Sequence, residues 1–502
     1  MRSDSYFFVI LKELGILVPI VGVMALSTIP ISLFFGEYFA LWPLLATTGV
    51  SFTLAFAFYF PFREVERELN VATSMIIAAG GWMLISLVGS LPFLFVSMEL
   101  SGTTGVSQTV LHFLDPLNGF FESVAGFTGT GLTMTVHENL LPRTLQWWRS
   151  LTQWIGGVGV IVLALTVLSR SGTGSYNLFF SEAREEKIHP SVISTVRTIW
   201  WIVVLYTLVS AFMLWIVGMP VWDSINHAMT GITTGGFSVT DQSIASYQSP
   251  LIEMVLLPIM LFGAISFAFH YQLLTGSFRN LKNDLQTKWL LVFTVAGIGL
   301  ITGARFIQGF FFQYLRSSAF QFVSAISCTG FQTANIGEWG ATGQMMMVVG
   351  MVIGGAAGST AGGIKILRTV LILKGIGWQL QRLVSSPNKL LKFSFGNQKL
   401  DEEEATSRFL SVATVALLWI AFLFVGVVMV DLTAPVSFTL SEVLFEVASA
   451  QGNVGLSTGI TGPEMTQINK LILCFHMWIG RLEIIPVLFF LRSLLGGASL
   501  RS

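Results

Sequence analysis

Charge is what this chain has least of. Only 11% of its 502 residues are Asp, Glu, Lys or Arg, where an ordinary soluble domain carries roughly 25%. Cysteine is scarcer still. Cys328 and Cys474 both fall in apolar segments, which excludes a disulfide framework, and the six histidines are scattered without metal-ligand spacing. No Ser/His/Asp constellation, HExxH motif or pair of carboxylates at catalytic spacing occurs, so an enzyme is not expected. With zero net charge and no basic patch, no nucleic-acid partner is expected either.

What the chain has instead is apolar length: 53% of its residues are hydrophobic. A bilayer-spanning helix needs about 20 predominantly apolar residues. Uncharged stretches run over 14–36, 38–62, 69–98, 150–169, 198–222, 254–278, 289–304, 339–364 and 409–430. A tenth, 467–492, is interrupted by Lys470, Arg481 and Glu483. The sequence therefore predicts a polytopic, all-α membrane protein with ten candidate spans. The N-terminus, MRSDSYFFVILKELG, lacks a small-residue cleavage site and reads as a retained first helix. With both termini cytoplasmic, the inner segments carry a net +7 and the outer ones −8, as the positive-inside rule asks.

Four segments align without a gap: FESVAGFTGTGLT, NHAMTGITTGGFS, FQFVSAISCTGFQ and FEVASAQGNVGLS. They place Gly131, Gly236, Gly330 and Gly455 in register. Nine residues before each glycine stands a polar residue: Glu122, His227, Gln321 or Glu446. Five before stands a small one, Gly126, Gly231, Ala325 or Ala450, and one after stands Leu132, Phe237, Phe331 or Leu456. A second set of glycines, Gly156-Gly157, Gly263, Gly354-Gly355 and Gly480, follows at 24 to 27 residues. Small residues let helices approach closely in lipid.

Each glycine motif is preceded by a segment too short to span and bracketed by two spans. Such a segment enters and leaves by the outer face, and irregular backbone at that depth must line a protected cavity. The expected unit is span, re-entrant helix, extended strand, span. Four such units around one axis place four helix C-termini, each carrying partial negative charge, at a focus suited to a cation. Glycine takes φ > 0 without steric cost, which lets successive carbonyls face an axis and replace an ion's water shell. The strands so identified are Gly129-Thr130-Gly131, Thr234-Gly235-Gly236, Cys328-Thr329-Gly330 and Asn453-Val454-Gly455. No ring of Asp or Glu occurs at that level, so coordination by carbonyls is expected.

Repeat boundaries follow: 1–68 holds two extra N-terminal spans, and the repeats cover 69–170, 171–280, 281–375 and 376–502. The last begins with a charged linker, 376–408, within a connection (374–408) that reads either as a solvated loop or as a docking surface for a cytoplasmic partner.

The stretch Gly354-Gly355-Ala-Ala-Gly358-Ser359-Thr360-Ala-Gly362-Gly363-Ile-Lys365 carries five glycines, enough to weaken a helix at about 1 kcal/mol each. It is not a phosphate loop, because Ile364 separates Gly363 from Lys365. Arg481 and Glu483 lie within the last span, and intramembrane charge is a functional candidate. Two residues apart, they do not face each other on a helix.

These motifs resemble the Trk/Ktr/HKT superfamily of potassium transporters, with TGTGL, TTGGF, CTGFQ and NVGLS matching its four filter loops. The two extra N-terminal spans resemble the TrkH branch. The resemblance covers nearly the whole chain and implies a homodimer in the lipid of a bacterial inner membrane, one pore per protomer, and a cytoplasmic TrkA-type ring that binds nucleotide. It implies K⁺ bound in the filter and no organic cofactor in this chain. It makes 354–365 an intramembrane gate loop and Arg481 a charge in the pore beneath the filter, with Lys365 directed the same way. In the plant branch serine at the first filter glycine goes with sodium transport; Gly131 here favours potassium. Sodium or unselective monovalent cation transport is the alternative. An organic-solute transporter would require two inverted halves, and this chain has four direct repeats.

Overall fold

The computed structural model describes residues 6–65, 69–159, 188, 191–277, 284–306, 311–385, 393–395, 398–433, 435 and 437–495. The first apolar run is interrupted only at Val18, where Pro19 begins a new helix: α1 (Tyr6–Leu17) and α2 (Pro19–Phe34) form one span, and α3 (Leu41–Tyr59) packs beside it. The pair is held closely by small residues. Ser51 Oγ accepts from Gly22 N at 3.0 Å and donates to Val18 O at 2.8 Å. A side chain at Gly15 would meet Tyr59 N at 2.8 Å.

The four repeats follow. Their first spans are α4 (Val71–Gly89) continued by α5 (Leu91–Leu100), α8 (Val192–Ile216), α12 (Leu285–Phe306) and α16 (Glu402–Asp431). The re-entrant helices are α6 (Pro116–Phe127), α9 (Val221–Ile232), α13 (Phe311–Ile326) and α17 (Leu440–Gln451). Their outer ends are built by local sequence. Asp115 caps α6 by accepting from Leu117 N at 3.0 Å, and Thr439 and Glu442 form a reciprocal capping box on α17.

The sequence predicts a break only in the second span of repeat three, at 354–365; in the structure those of repeats two and four break as well. α7 (Arg143–Val158) ends at Gly159, and the remainder of the expected span 150–169 lies outside the described residues. α10 (Pro250–Ala264) turns by 109° into α11 (Phe267–Leu274). α14 (Gly340–Ile353) gives way to a loop before α15 (Ile366–Val384). α18 (Gln467–Arg481) turns by 120° into α19 (Ile485–Leu495). Hydropathy averaged over a window does not register the turns at Ile265 and Ile484, which are as apolar as a helix interior.

One short antiparallel ribbon, β1 (Phe393–Phe395) with β2 (Gln398–Leu400), lies in the 376–408 linker and pairs Phe393 with Leu400. Arg382 and Glu402 tie the helices flanking it at 2.6 Å. Lys389 and Lys392 lie outside the described residues, as does most of the connection 170–197.

Candidate functional site: a ring of four glycine strands

Each re-entrant helix releases its strand in the same way. The amide one residue before the motif glycine turns back to a carbonyl five residues earlier. Thr130 N donates to Ala125 O at 2.9 Å, Gly235 N to Thr230 O at 2.7 Å, Thr329 N to Ser324 O at 2.9 Å and Val454 N to Ser449 O at 2.9 Å. These amides are thereby satisfied away from the axis. The motif glycines have φ of 84°, 79°, 85° and 91°, and the residues two before them, Gly129, Thr234, Cys328 and Asn453, have 68°, 50°, 57° and 53°. The residue between is outside the positive region in every strand. Backbone of alternating hand turns successive carbonyls to one side. Three non-glycine residues hold this geometry at a cost of about 1–3 kcal/mol each.

The strands close into a ring. A side chain at Gly131 would meet Gly235 O at 2.2 Å, one at Gly236 would meet Thr329 O at 2.0 Å, one at Gly330 would meet Val454 O at 2.1 Å, and one at Gly455 would meet Thr130 O at 2.1 Å. Each glycine backs onto the carbonyl of the next repeat, in the order one, two, three, four, one. Glycine is required here by a neighbour's backbone as well as by its own φ. The apolar residues after the glycines, Leu132, Phe237, Phe331 and Leu456, are all buried.

The polar residues nine before the glycines hold the strands' outer ends. Glu122 accepts from Met134 N at 2.7 Å and Thr133 Oγ1 at 2.8 Å. His227 Nε2 bonds Ser238 Oγ at 2.9 Å, and Gln321 Oε1 accepts from Thr333 N at 2.9 Å. Glu446 accepts from Ser457 Oγ at 2.7 Å, Thr458 N at 3.0 Å and Thr461 N at 3.1 Å, and also from Thr461 Oγ1. The sequence displays this position as polar four times; its task appears only when the strand folds back over the helix.

A further correspondence lies ten residues before the second set of glycines. There Gln146 accepts from Trp222 Nε1 at 2.8 Å, Glu253 takes two bonds from Arg316 at 2.7 Å, Gln344 accepts from Ser441 Oγ at 2.7 Å, and Lys470 Nζ stands 3.8 Å from Asp115. Each second span thus tethers the start of the next repeat's re-entrant helix. In the sequence these four positions, Gln, Glu, Gln and Lys, are alike only in being polar, since neither charge nor size is kept among them.

Above the ring, a cavity of about 200 Å³ is lined by all four motif glycines together with Glu138, Arg149, Asp241 and Thr461. Burial pushes the Glu138 carboxyl up to about 7, against the opposing pull of Arg149.

Below the ring lies the glycine-rich loop. Thr360 donates to Gly263 O at 2.8 Å and accepts from Thr234 Oγ1 at 3.0 Å. A side chain at Gly362 would meet Gly452 O at 2.0 Å, and the Cys328 thiol meets the Gly355 and Gly362 backbones. The loop therefore lies under the strands of repeats two, three and four, a wider footing than the third strand alone. Ser359 folds onto Ala356 O at 2.6 Å, while Gly354, Gly358 and Gly363 take positive φ.

Arg481 completes this layer, donating to Thr360 O at 3.1 Å, Gly156 O at 2.7 Å and Gly157 O at 3.0 Å. Lys365 Nζ turns back to Ala361 O within its own loop. Glu483 pairs with Arg368 at the start of α15, a partner brought to it by the bend after Arg481. The second-set glycines in repeats one, two and four lie under the last carbonyls of their re-entrant helices: Phe127 O, Ile232 O and Gln451 O would sit 2.1, 2.6 and 2.0 Å from an added side chain. In repeat three Gly354 instead abuts Gly362 O, at 2.1 Å, where the loop begins.

Helices long and apolar enough to cross a bilayer, four re-entrant units and one closed ring define a multi-pass membrane protein of the four-repeat pore type. The family model for TrkH, described as a cation transport protein, matches residues 45–500, and the chain belongs to that family of transport proteins. It is 33% identical over 97% of its length to an uncharacterized cation transporter of Methanocaldococcus jannaschii, covering 95% of that protein. It is 30% identical over 88% of its length to the Trk system potassium uptake protein TrkH of Salmonella typhimurium, covering 89% of it. The crystal structure of the potassium transporter TrkH from Vibrio parahaemolyticus superposes with a TM-score of 0.81 over 99% of both chains, at 24% identity, a likeness of fold.

Proposed function

We propose that this chain is the membrane subunit of a potassium uptake system, conducting K⁺ through a gated, channel-like pore. The observation that carries this reading is the ring itself: four glycines, each backed by the neighbouring repeat's carbonyl, with the amides turned away. A dehydrated monovalent cation loses little there, because oxygen dipoles replace its water. The name of the Salmonella relative supports potassium as the ion.

In this reading Gly129–Gly131, Thr234–Gly236, Cys328–Gly330 and Asn453–Gly455 are the selectivity filter. Residues 354–365 are the gate, and Arg481 holds the gate loop against the end of α7. The chain works as a homodimer in the inner membrane with both termini cytoplasmic. A TrkA-type nucleotide-binding ring acts on the 374–408 connection, whose flanking helices α15 and α16 are joined through Arg382 and Glu402.

The test is flux into liposomes holding the purified protein, with K⁺, Na⁺ and a larger organic cation compared under a fixed membrane potential. K⁺ flux well above Na⁺ flux is the expected result; equal flux of all three, or none, would remove this function.

A further inference from the structure

The four repeats are not equal at the filter, and the inequality lies in one helix face of repeat one. Aligned on the second set of glycines, the position seven before reads Arg149, Leu256, Met347 and Leu473, and the position three before reads Gln153, Met260, Met351 and Met477. All eight residues are buried. Three repeats fill both places with apolar side chains. Repeat one alone fills both with hydrogen-bonding groups, on the same face of α7 as Gln146 by their spacing.

These side chains reach the backbone of the strand of repeat two; elsewhere Ser449 Oγ of α17 accepts from Gly455 N at 3.1 Å and Asn453 Nδ2 donates to Thr130 Oγ1 at 2.9 Å, neither bond engaging a strand carbonyl. Gln153 Nε2 donates to Gly235 O at 2.5 Å, and its Oε1 accepts from Phe237 N at 2.9 Å. Arg149 Nη1 donates to Ser238 O at 2.7 Å, while its Nε is fixed by Glu122 at 2.7 Å. Among the described residues no side chain donates to Thr130 O, Thr329 O or Val454 O, the three carbonyls at the level of Gly235 O. Yet Gly235 O keeps its place in the ring, at the same close approach to its neighbouring glycine as the other three.

We propose that Gln153 is a specificity-determining residue, one that sets the field and the angle of a single carbonyl in an otherwise fourfold ring. The inference rests on the reading of the ring as a potassium filter. An N–H donor bound to a carbonyl oxygen lowers the negative potential which that oxygen presents to a cation, and anchoring at Phe237 N fixes the strand on the far side of the glycine. Without the amide, the oxygen presents its full dipole and its strand is free to move toward the ion. A stronger and more compliant oxygen favours the smaller cation. Methionine at the equivalent place in three repeats shows that the fold accepts an apolar residue there, so the amide is not demanded by packing. Gln153 touches no ion in this account; it acts through Gly235, as a positioning residue.

The experiment compares the wild type with Gln153→Met, the residue of the other three repeats, and Gln153→Asn, which keeps an amide but is too short to make both bonds. Permeability ratios are measured from reversal potentials in proteoliposomes, which do not depend on how much protein is active. Both substitutions are expected to lower the K⁺/Na⁺ ratio by about threefold or more, the scale of one modest hydrogen bond. A merely structural role would change the amount of active protein and leave the ratio alone. A wild-type ratio in whichever variant assembles overturns the proposal. An unselective wild type would instead overturn the filter reading beneath it.

Discussion

Arg481 and Thr360 meet beneath the ring: the guanidinium of the last second span donates to a backbone carbonyl at the middle of the glycine-rich loop, at 3.1 Å. The same guanidinium grips Gly156 O and Gly157 O at the end of α7. One side chain therefore joins repeats one, three and four at the level where the loop lies under the other strands. Carbonyls at a helix end carry partial negative charge, and together with the Trp82 ring, 5.4 Å from the guanidinium carbon, they stabilise the arginine there.

Removing that charge is expected to open the path. Arg481→Gln deletes a positive group close to the ion's route, where one unit of charge weighs on a cation by about 4 kcal/mol at 4 Å and an effective dielectric of 20. It also leaves the loop with weaker attachment to α7. Single-channel or liposome recordings should show basal K⁺ flux raised roughly tenfold or its voltage dependence altered. Wild-type flux and voltage dependence together would mean that Arg481 serves only to hold the helix end.

Shortening the loop addresses the same layer from the other side. Deleting Ala357 to Ala361 removes the Thr360 bonds to Thr234, Ile232 and Gly263 together with the Arg481 acceptor. Basal K⁺ flux is expected to rise, and the dependence on the cytoplasmic nucleotide-binding subunit to fall. A deletion variant that is dimeric and monodisperse, yet closed and still dependent on that subunit, would exclude the loop as gate.

Gly131→Ser tests the ring. Its side chain would have to enter a space where Gly235 O stands 2.2 Å away, on a backbone at φ 84°, a strain of roughly 1–3 kcal/mol. The strands must part to admit it. The K⁺/Na⁺ permeability ratio should fall, with a modest loss of thermal stability. An unchanged ratio would contradict this filter register.

External pH should matter through Glu138, which lines the vestibule 4.0 Å from Arg149 and is also under the influence of Glu122 and Asp241. Its carboxyl sits at about 7, above the ordinary 4.5, because burial penalises the charged form. The folded protein thus holds this proton more tightly than the unfolded chain, so the group's contribution to stability is complete below about 4.5 and lost as pH rises through about 7. In function the sign is opposite: above about 7 the mouth gains a negative charge that concentrates cations. K⁺ flux at subsaturating K⁺ should rise between external pH 6 and 8 by roughly twofold, and Glu138→Gln should flatten the profile. A Glu138→Gln profile identical to wild type would exclude this residue.

The ring was legible in the sequence because its backbone geometry leaves a chemical imprint. A positive φ facing a neighbour's carbonyl demands glycine, and four such demands print four glycines in register. The polar residue nine positions earlier was visible for the same reason, although its role in holding the strand's outer end was not. The breaks in α10–α11 and α18–α19 were hidden, since Ile265 and Ile484 are apolar wherever the chain turns. Glu483 could be marked as a charge in the membrane, but Arg368 could not be named as its partner: the 120° bend that joins them has no sequence signature. Gln153 was lost inside the uncharged run 150–169, and Arg149 stood out only as the charge that bounds it.

The closing of the ring through Gly455 and Thr130 has one more consequence. Residues separated by more than three hundred positions complete a circuit that residues a hundred apart begin, so the aperture does not exist until the last quarter of the chain has been made. A truncated product, however well its first three repeats are embedded, has a cleft open to lipid where the fourth wall belongs.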